Sequence, residues 1–171
     1  MKRLLHIGLG TPNEFKDIIE CQSDVISKLE RQDFYYPSMP DELELLFENT
    51  PHTGFIIGAY HSEHLIGFAS VAHWLGPYYG YSYKSDDICY SIEDTVVRKA
   101  YYGCGIQLKL WNYIIDLLPQ TAVLLCTIHP ENIICLQNAI SLGFTPKTTA
   151  YPFGDSPRLI MERKGKLGTG S

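Results

Sequence analysis

Between Ser91 and Leu108 the chain passes from a β-branched strand, through a turn carrying two glycines, straight into an amphipathic helix. The segment reads Ser91-Ile92-Glu93-Asp94-Thr95-Val96-Val97-Arg98-Lys99-Ala100-Tyr101-Tyr102-Gly103-Cys104-Gly105-Ile106-Gln107-Leu108. Ile106, Leu110, Tyr113, Ile114 and Leu117 recur at helical spacing and predict a helix over residues 105–118. Such a junction points several backbone N–H groups outward at the positive end of a helix dipole. Small residues there let a pyrophosphate approach the backbone, so the turn is a ready anion site. Taken alone, Gly103 and Gly105 are equally well explained as a tight strand-to-helix turn. A dinucleotide-binding fingerprint fits less well, because its third glycine would fall on Leu108. Gly8-Leu9-Gly10 fails the same test at Asn13.

The flanking sequence supplies a consistent order of elements. A strand is predicted over residues 2–7, and Thr11-Pro12-Asn13-Glu14 then announces a helix with a cap, an early proline and an early acid. That helix continues through Phe15, Ile18, Ile19, Val25, Ile26 and Leu29, with a break expected at Gln22-Ser23. Asp41 is expected to cap a second, short helix through Leu43, Leu45, Leu46 and Phe47. Strands follow over residues 55–60 and 65–74, joined by the polar hairpin His61-Ser62-Glu63-His64, and then over 88–97. After the helix at 105–118 come a strand at 122–128, a helix at 132–142 and strands near 145–153 and 159–163. The order βααβββαβαββ predicts a mixed α+β fold: one mostly antiparallel sheet, flanked by helices, with a single βαβ crossover in its second half. Residues 1–164 read as a single domain, and the polar, Gly-rich residues 165–171 as a disordered tail outside it.

Composition removes several classes of function. The 171 residues suit one domain with a real core, and 45% hydrophobic against 19% charged is a globular balance. A net charge of -5 speaks against nucleic acid or an anionic membrane as partner. No apolar run approaches the ~20 residues that span a bilayer. Five cysteines, an odd number without framework spacing, fit a reduced, cytoplasmic protein. His61 and His64 belong to a polar hairpin tip, and no metal site is predicted.

The segment from Val97 to Gln107 resembles motif A of the GNAT (Gcn5-related N-acetyltransferase) superfamily, in which a valine-ending strand precedes Arg/Gln-x-x-Gly-x-Gly/Ala. On this chain the motif covers Tyr102, Gly103, Cys104, Gly105, Ile106 and Gln107. The likeness continues in His129-Pro130-Glu131-Asn132 and a helix ending at Gly143-Phe144, eleven residues after the helix-start Asn. The resemblance implies an acyltransferase working through a ternary complex: an acetyl group passes from acetyl-CoA, as co-substrate, to a primary amine. Backbone groups of Thr95, Val96 and Val97 would hold pantetheine, residues 102–107 the pyrophosphate, and Asn132 the pantetheine arm. The acceptor is a small-molecule or peptide amine, and a homodimer is compatible with the pattern.

Three positions depart from the superfamily pattern. Tyr102 replaces Arg or Gln, Gln107 replaces a small residue and must point away from the pyrophosphate, and Ala139 stands where many relatives carry a tyrosine that protonates the leaving thiolate. Arg98, Lys99 and Lys109 are either substitute cations for the phosphates or a solvated face. Strict alternation puts Ser91, Glu93, Thr95 and Val97 on one face of the strand, and the resemblance turns that face to the thioester. Glu93 matches an acidic position of many relatives and is the candidate general base. A structural carboxylate is the other reading of it. Trp74, Tyr78, Tyr79, Tyr81 and Tyr83 either line an acceptor pocket or cover the core. Two further classes stay open: a non-catalytic acyl-CoA-binding or regulatory domain, favoured by Ala139, and a structural domain with no CoA site.

Overall fold

The computed structural model describes residues 5–48, 53–84 and 88–165. Strands β1 (Leu5–Leu9), β2 (Gly54–His61), β3 (His64–Trp74), β4 (Cys89–Val97), β5 (Val123–Ile128), β6 (Thr145–Phe153) and β7 (Ser156–Lys164) alternate with helices α1 (Phe15–Lys28), α2 (Pro40–Leu46), α3 (Ile106–Leu117) and α4 (Ile133–Ser141) in the expected order. They form one sheet, β1-β2-β3-β4-β5-β7-β6. Every pairing is antiparallel except β4 with β5, which the α3 crossover makes parallel. Residues 2–4 of the expected first strand and residues 166–171 of the expected tail lie outside the described residues. Gly165 donates its N–H to the oxygen of Ala122.

Alternation along the strands sends core side chains to both faces of the sheet. Ile56, Phe68 and Val96 pack against Ile18, Cys21 and Val25 of α1 and Leu43 of α2. Their neighbours Ile57 and Ala69, with Ile92, pack on the other face against Ile106, Leu110, Trp111 and Ile114 of α3 and Ala139 of α4. Trp111, absent from the predicted stripe, is almost fully buried and donates Nε1–H to Thr95 Oγ1 at 2.9 Å. Leu117 of that stripe is exposed instead.

Two helix details differ from expectation. Helix α1 runs unbroken through Gln22-Ser23, because Gln22 is a buried tether: its Nε2 donates to Tyr35 Oη at 3.2 Å and to the oxygen of Ser38 at 3.1 Å. Helix α2 begins at Pro40, one residue before Asp41, and the Met39 N–H is satisfied by Glu42 Oε2 at 2.7 Å. No helix among the described residues is long and apolar enough to cross a membrane.

Candidate active site

The site begins where β4 and β5 part. Their parallel ladder runs from Cys89↔Val123 to Ile92↔Cys126 and stops, while β4 continues to Val97. The strands therefore fork, and the β5-facing edge of residues 93–97 has no strand beside it among the described residues. Backbone N–H and C=O groups at such an edge are open to an extended ligand. The fork coincides with a β-bulge. Ser70 of β3 pairs with Asp94 but Val71 pairs with Ile92, so Glu93 is the extra residue.

The bulge corrects the expected faces. Ile92, Thr95 and Val97 all reach the α3 face, through the core contacts of Ile92 and Val97 and the Trp111–Thr95 hydrogen bond. Asp94 and Val96 turn towards α1 and α2. Glu93 therefore does not share a face with Thr95 and Val97. It projects instead into a cavity of about 320 Å³. Ser91 Oγ donates to Glu93 Oε1. Burial, reinforced by the neighbouring carboxylates Asp94 and Glu42, raises the Glu93 pKa above the ordinary glutamate value, with the Ser91 hydrogen bond pulling the other way.

Beyond Val97 the chain makes a 3₁₀ turn, Lys99–Tyr101, and enters α3 through Tyr102, Gly103, Cys104 and Gly105. Gly103 and Gly105 hold φ of +77° and +71°, and a Cβ at either would meet no atom within 4 Å. The glycines are thus required by backbone conformation, and the space beside them is open. Gly105 is the N-cap of α3 and offers no side chain to the first N–H groups. Tyr102, Gly103, Cys104 and Gly105 are all exposed, while the Ile106 side chain is buried in the core. Gln107 turns away from the turn and towards α4, donating from Nε2 to Cys135 Sγ at 3.0 Å and accepting from Asn138 Nδ2 at 2.8 Å. Arg98 is committed elsewhere, to Asp24 at 2.9 Å and the oxygen of Leu65 at 3.0 Å. Lys99 and Lys109 are exposed.

At the start of α4, Asn132 Oδ1 accepts the N–H of Cys135 at 3.3 Å, so this side chain caps the helix. Ala139 is fully buried in the α3–α4 core.

The cavity lies against the fork. Glu93 and Thr127, the residues next after the last paired positions of β4 and β5, are both in its wall. Phe34, Tyr36, Glu42, Trp74, Tyr79, Phe153 and Arg158 complete the part that matters here. The aromatic cluster divides: Tyr79 lines the cavity, whereas Tyr78 is buried in the core beneath it. Tyr79 holds φ of +46°, a strained conformation for a residue of its size, and burial beside Glu93 pushes its pKa up to about 12. The residues 34–38, Glu42, Thr127, Phe153 and Arg158 were not legible as site residues. No local pattern marks them, since the fold alone assembles them.

Asp33, His129 and Glu131 bring three possible metal ligands within 4.8 Å of one another. Arg31 already bridges the two carboxylates, at 2.7 Å from Asp33 and 3.0 Å from Glu131, and holds the Asp33 pKa down to about 2. The group is satisfied as an ion-pair cluster.

A sequence profile described as the acetyltransferase (GNAT) family matches residues 23–144. No curated protein sequence matches the chain significantly. Among solved structures, the ribosomal-protein-S18-alanine N-acetyltransferase from Escherichia coli superposes with a TM-score of 0.74 at 14% identity, covering 98% of each chain. A putative acetyltransferase from Salmonella typhimurium, solved with its cofactor acetyl-CoA, gives 0.71 at 17% identity over 94% of each chain. A putative acetyltransferase from Acinetobacter baylyi gives 0.70 at 22% identity, covering 94% of this chain and 93% of that one. These likenesses concern the fold.

Proposed function

Because this chain belongs to the acetyltransferase (GNAT) family, we propose that it moves the acetyl group of acetyl-CoA to a primary amine within a ternary complex. The observation that carries the reading is the fork: β4 loses its β5 partner at Ile92, and the next residue, Glu93, stands in a cavity large enough for a small acceptor.

The open edge of Thr95, Val96 and Val97 offers backbone groups to the pantetheine chain, and an amide there can stabilise charge on the thioester oxygen. The turn of residues 102–107 receives the pyrophosphate through backbone N–H groups at the start of α3, with Lys99 and Lys109 near in sequence to add charge. The cap at Asn132 leaves its Nδ2 for the pantetheine arm. Glu93 takes a proton from the acceptor's ammonium group; the free amine attacks the carbonyl carbon, an N–C bond forms, the C–S bond breaks, and the second proton leaving the nitrogen neutralises the departing thiolate, giving amide and free thiol. A carboxylate with a raised pKa is better matched to that proton transfer than an ordinary one.

Thermal unfolding with CoA and acetyl-CoA, together with thiol release over a panel of amines, tests the reading. Stabilisation by both ligands and amine-dependent thiol release are expected. Stabilisation without thiol release from any amine would reassign the chain as an acyl-CoA-binding domain, the reading that Ala139 favours.

A further inference from the structure

Arg158 is a buried charge that the proposed reaction leaves unused. It stands on β7 at 2% exposure and belongs to the wall of the cavity that holds Glu93. Its Nη2 donates to the backbone oxygen of Asp33 at 2.5 Å and its Nη1 to that of Phe34 at 3.3 Å, while Nε is buried without a partner. A guanidinium has five N–H donors, so two neutral carbonyls leave most of its capacity idle. No carboxylate among the described residues pairs with it. The carboxylate of Asp33 is held by Arg31. Tyr36 and Phe153, also in the cavity wall, place their ring centroids 5.0 and 5.6 Å from Cζ.

Burying a guanidinium without an anion is costly, and buried charges are ordinarily paired. Here the charge is kept at the edge of a space where an anion can arrive. The same wall carries Glu93 and Glu42, so the cavity offers negative charge to an ammonium group and positive charge to an acid. We propose that the acceptor is a free amino acid with an apolar or aromatic side chain, its ammonium at Glu93, its carboxylate on Arg158 and its side chain among Tyr36, Tyr79 and Phe153. The assignment rests on the acetyl-transfer reading and names the substrate class for it. A peptide N-terminus lacks the free carboxylate beside its amine and does not meet the requirement of Arg158.

The test is a matched series on the full chain with acetyl-CoA. Phenylalanine, tyrosine, tryptophan, leucine and methionine are each compared with their amides and with their decarboxylated amines, reading kcat/KM by thiol release. At least one acid is expected to exceed both of its partners by about 10–10²-fold, the worth of a charge-assisted contact. Arg158→Gln is expected to bring that ratio to within a few-fold. Loosening of residues 33–38 alone would affect all three members of a set together and leave the ratio standing. Amides or amines that the parent protein transfers as well as the acids overturn the proposal and leave acetyl transfer intact. Calorimetric binding of the same acids, read without turnover, separates the two failures. Acids that bind the parent and not Arg158→Gln support the assignment even without transfer, and in that case the acetyl-transfer reading is the one that fails. No binding of any acid overturns the assignment.

Discussion

The hydroxyl of Tyr35 donates to the carboxylate of Asp94, which is fully buried on β4 next to the bulged Glu93. Asp94 also accepts from the N–H of Ser38 at 3.0 Å and from the hydroxyls of Ser38 and Ser70. One carboxylate thus ties the cavity wall of residues 35–38 to the strand that carries the candidate base. Asp94→Ala leaves these donors unpaired and is expected to cost about 3 kcal/mol or more, measured by urea unfolding. Tyr35→Phe removes the bond donated to Asp94 and the one accepted from Gln22, and is expected to cost about 1–3 kcal/mol. In both variants the KM for the acceptor should rise more than that for acetyl-CoA, since the lost bonds hold the cavity wall of residues 35–38 while the turn at Gly103 and Gly105 is untouched.

Glu93→Gln is expected to lower turnover by about 10²–10⁴-fold, the contribution of a positioned general base. Acetyl-CoA affinity should barely move, because backbone groups carry that contact. A variant within a few-fold of the parent would assign Glu93 a structural role. The acid limb of the parent's kcat/KM profile should lie above the ordinary glutamate value and vanish in the variant. Stability gives a second reading. With its folded pKa raised by burial, Glu93 contributes stability that is full below the unfolded value and is lost as pH rises through the folded one. Parent minus variant stability should therefore decline as pH rises above the ordinary glutamate value.

The order of seven strands and four helices was legible because periodicity and Gly/Pro punctuation are local signals. The turn at Gly103 and Gly105 was legible for the same reason, since positive φ at both needs glycine itself. What escaped was set by partners distant in sequence. The bulge at Glu93 arises from the register with Ser70, and nothing within β4 announces it, so alternation wrongly grouped Glu93 with Thr95 and Val97. A break was expected at Gln22-Ser23, where polar residues interrupt the apolar stripe, yet the helix runs on and Gln22 is held by Tyr35 and Ser38. Arg158 reaches the backbone of Phe34 across 124 residues, a contact invisible to any window of sequence.

Gly105→Val tests the turn. Since φ is +71° and a Cβ meets nothing within 4 Å, the variant suffers backbone strain without a clash inside the protein. A cost of about 1–3 kcal/mol is expected, small enough for the domain to fold. The new side chain would stand in the open space that the pyrophosphate needs, so CoA affinity should fall at least about tenfold. A folded Gly105→Val protein that binds CoA like the parent would remove the turn from the site.

Ala139→Tyr returns a hydroxyl to the position where many relatives carry one. If the cleft had merely lost its acid, the ring would find room and turnover would rise. Ala139 is instead fully buried, within a core that also holds Trp111 and Phe144. On this helix the next bond outward is already committed, with Asn138 joined to Gln107 of α3. Forcing a phenol into a packed interior displaces neighbours and typically costs about 1–3 kcal/mol or more. The expected result is a destabilised protein with no gain in turnover, because the added hydroxyl competes with core packing and does not reach the fork. Measured side by side, the unfolding midpoint should drop while kcat of the folded fraction stays at or below the parent's. A rise in kcat without loss of stability would show that α4 can move aside, and that the space beside Ala139 communicates with the thioester.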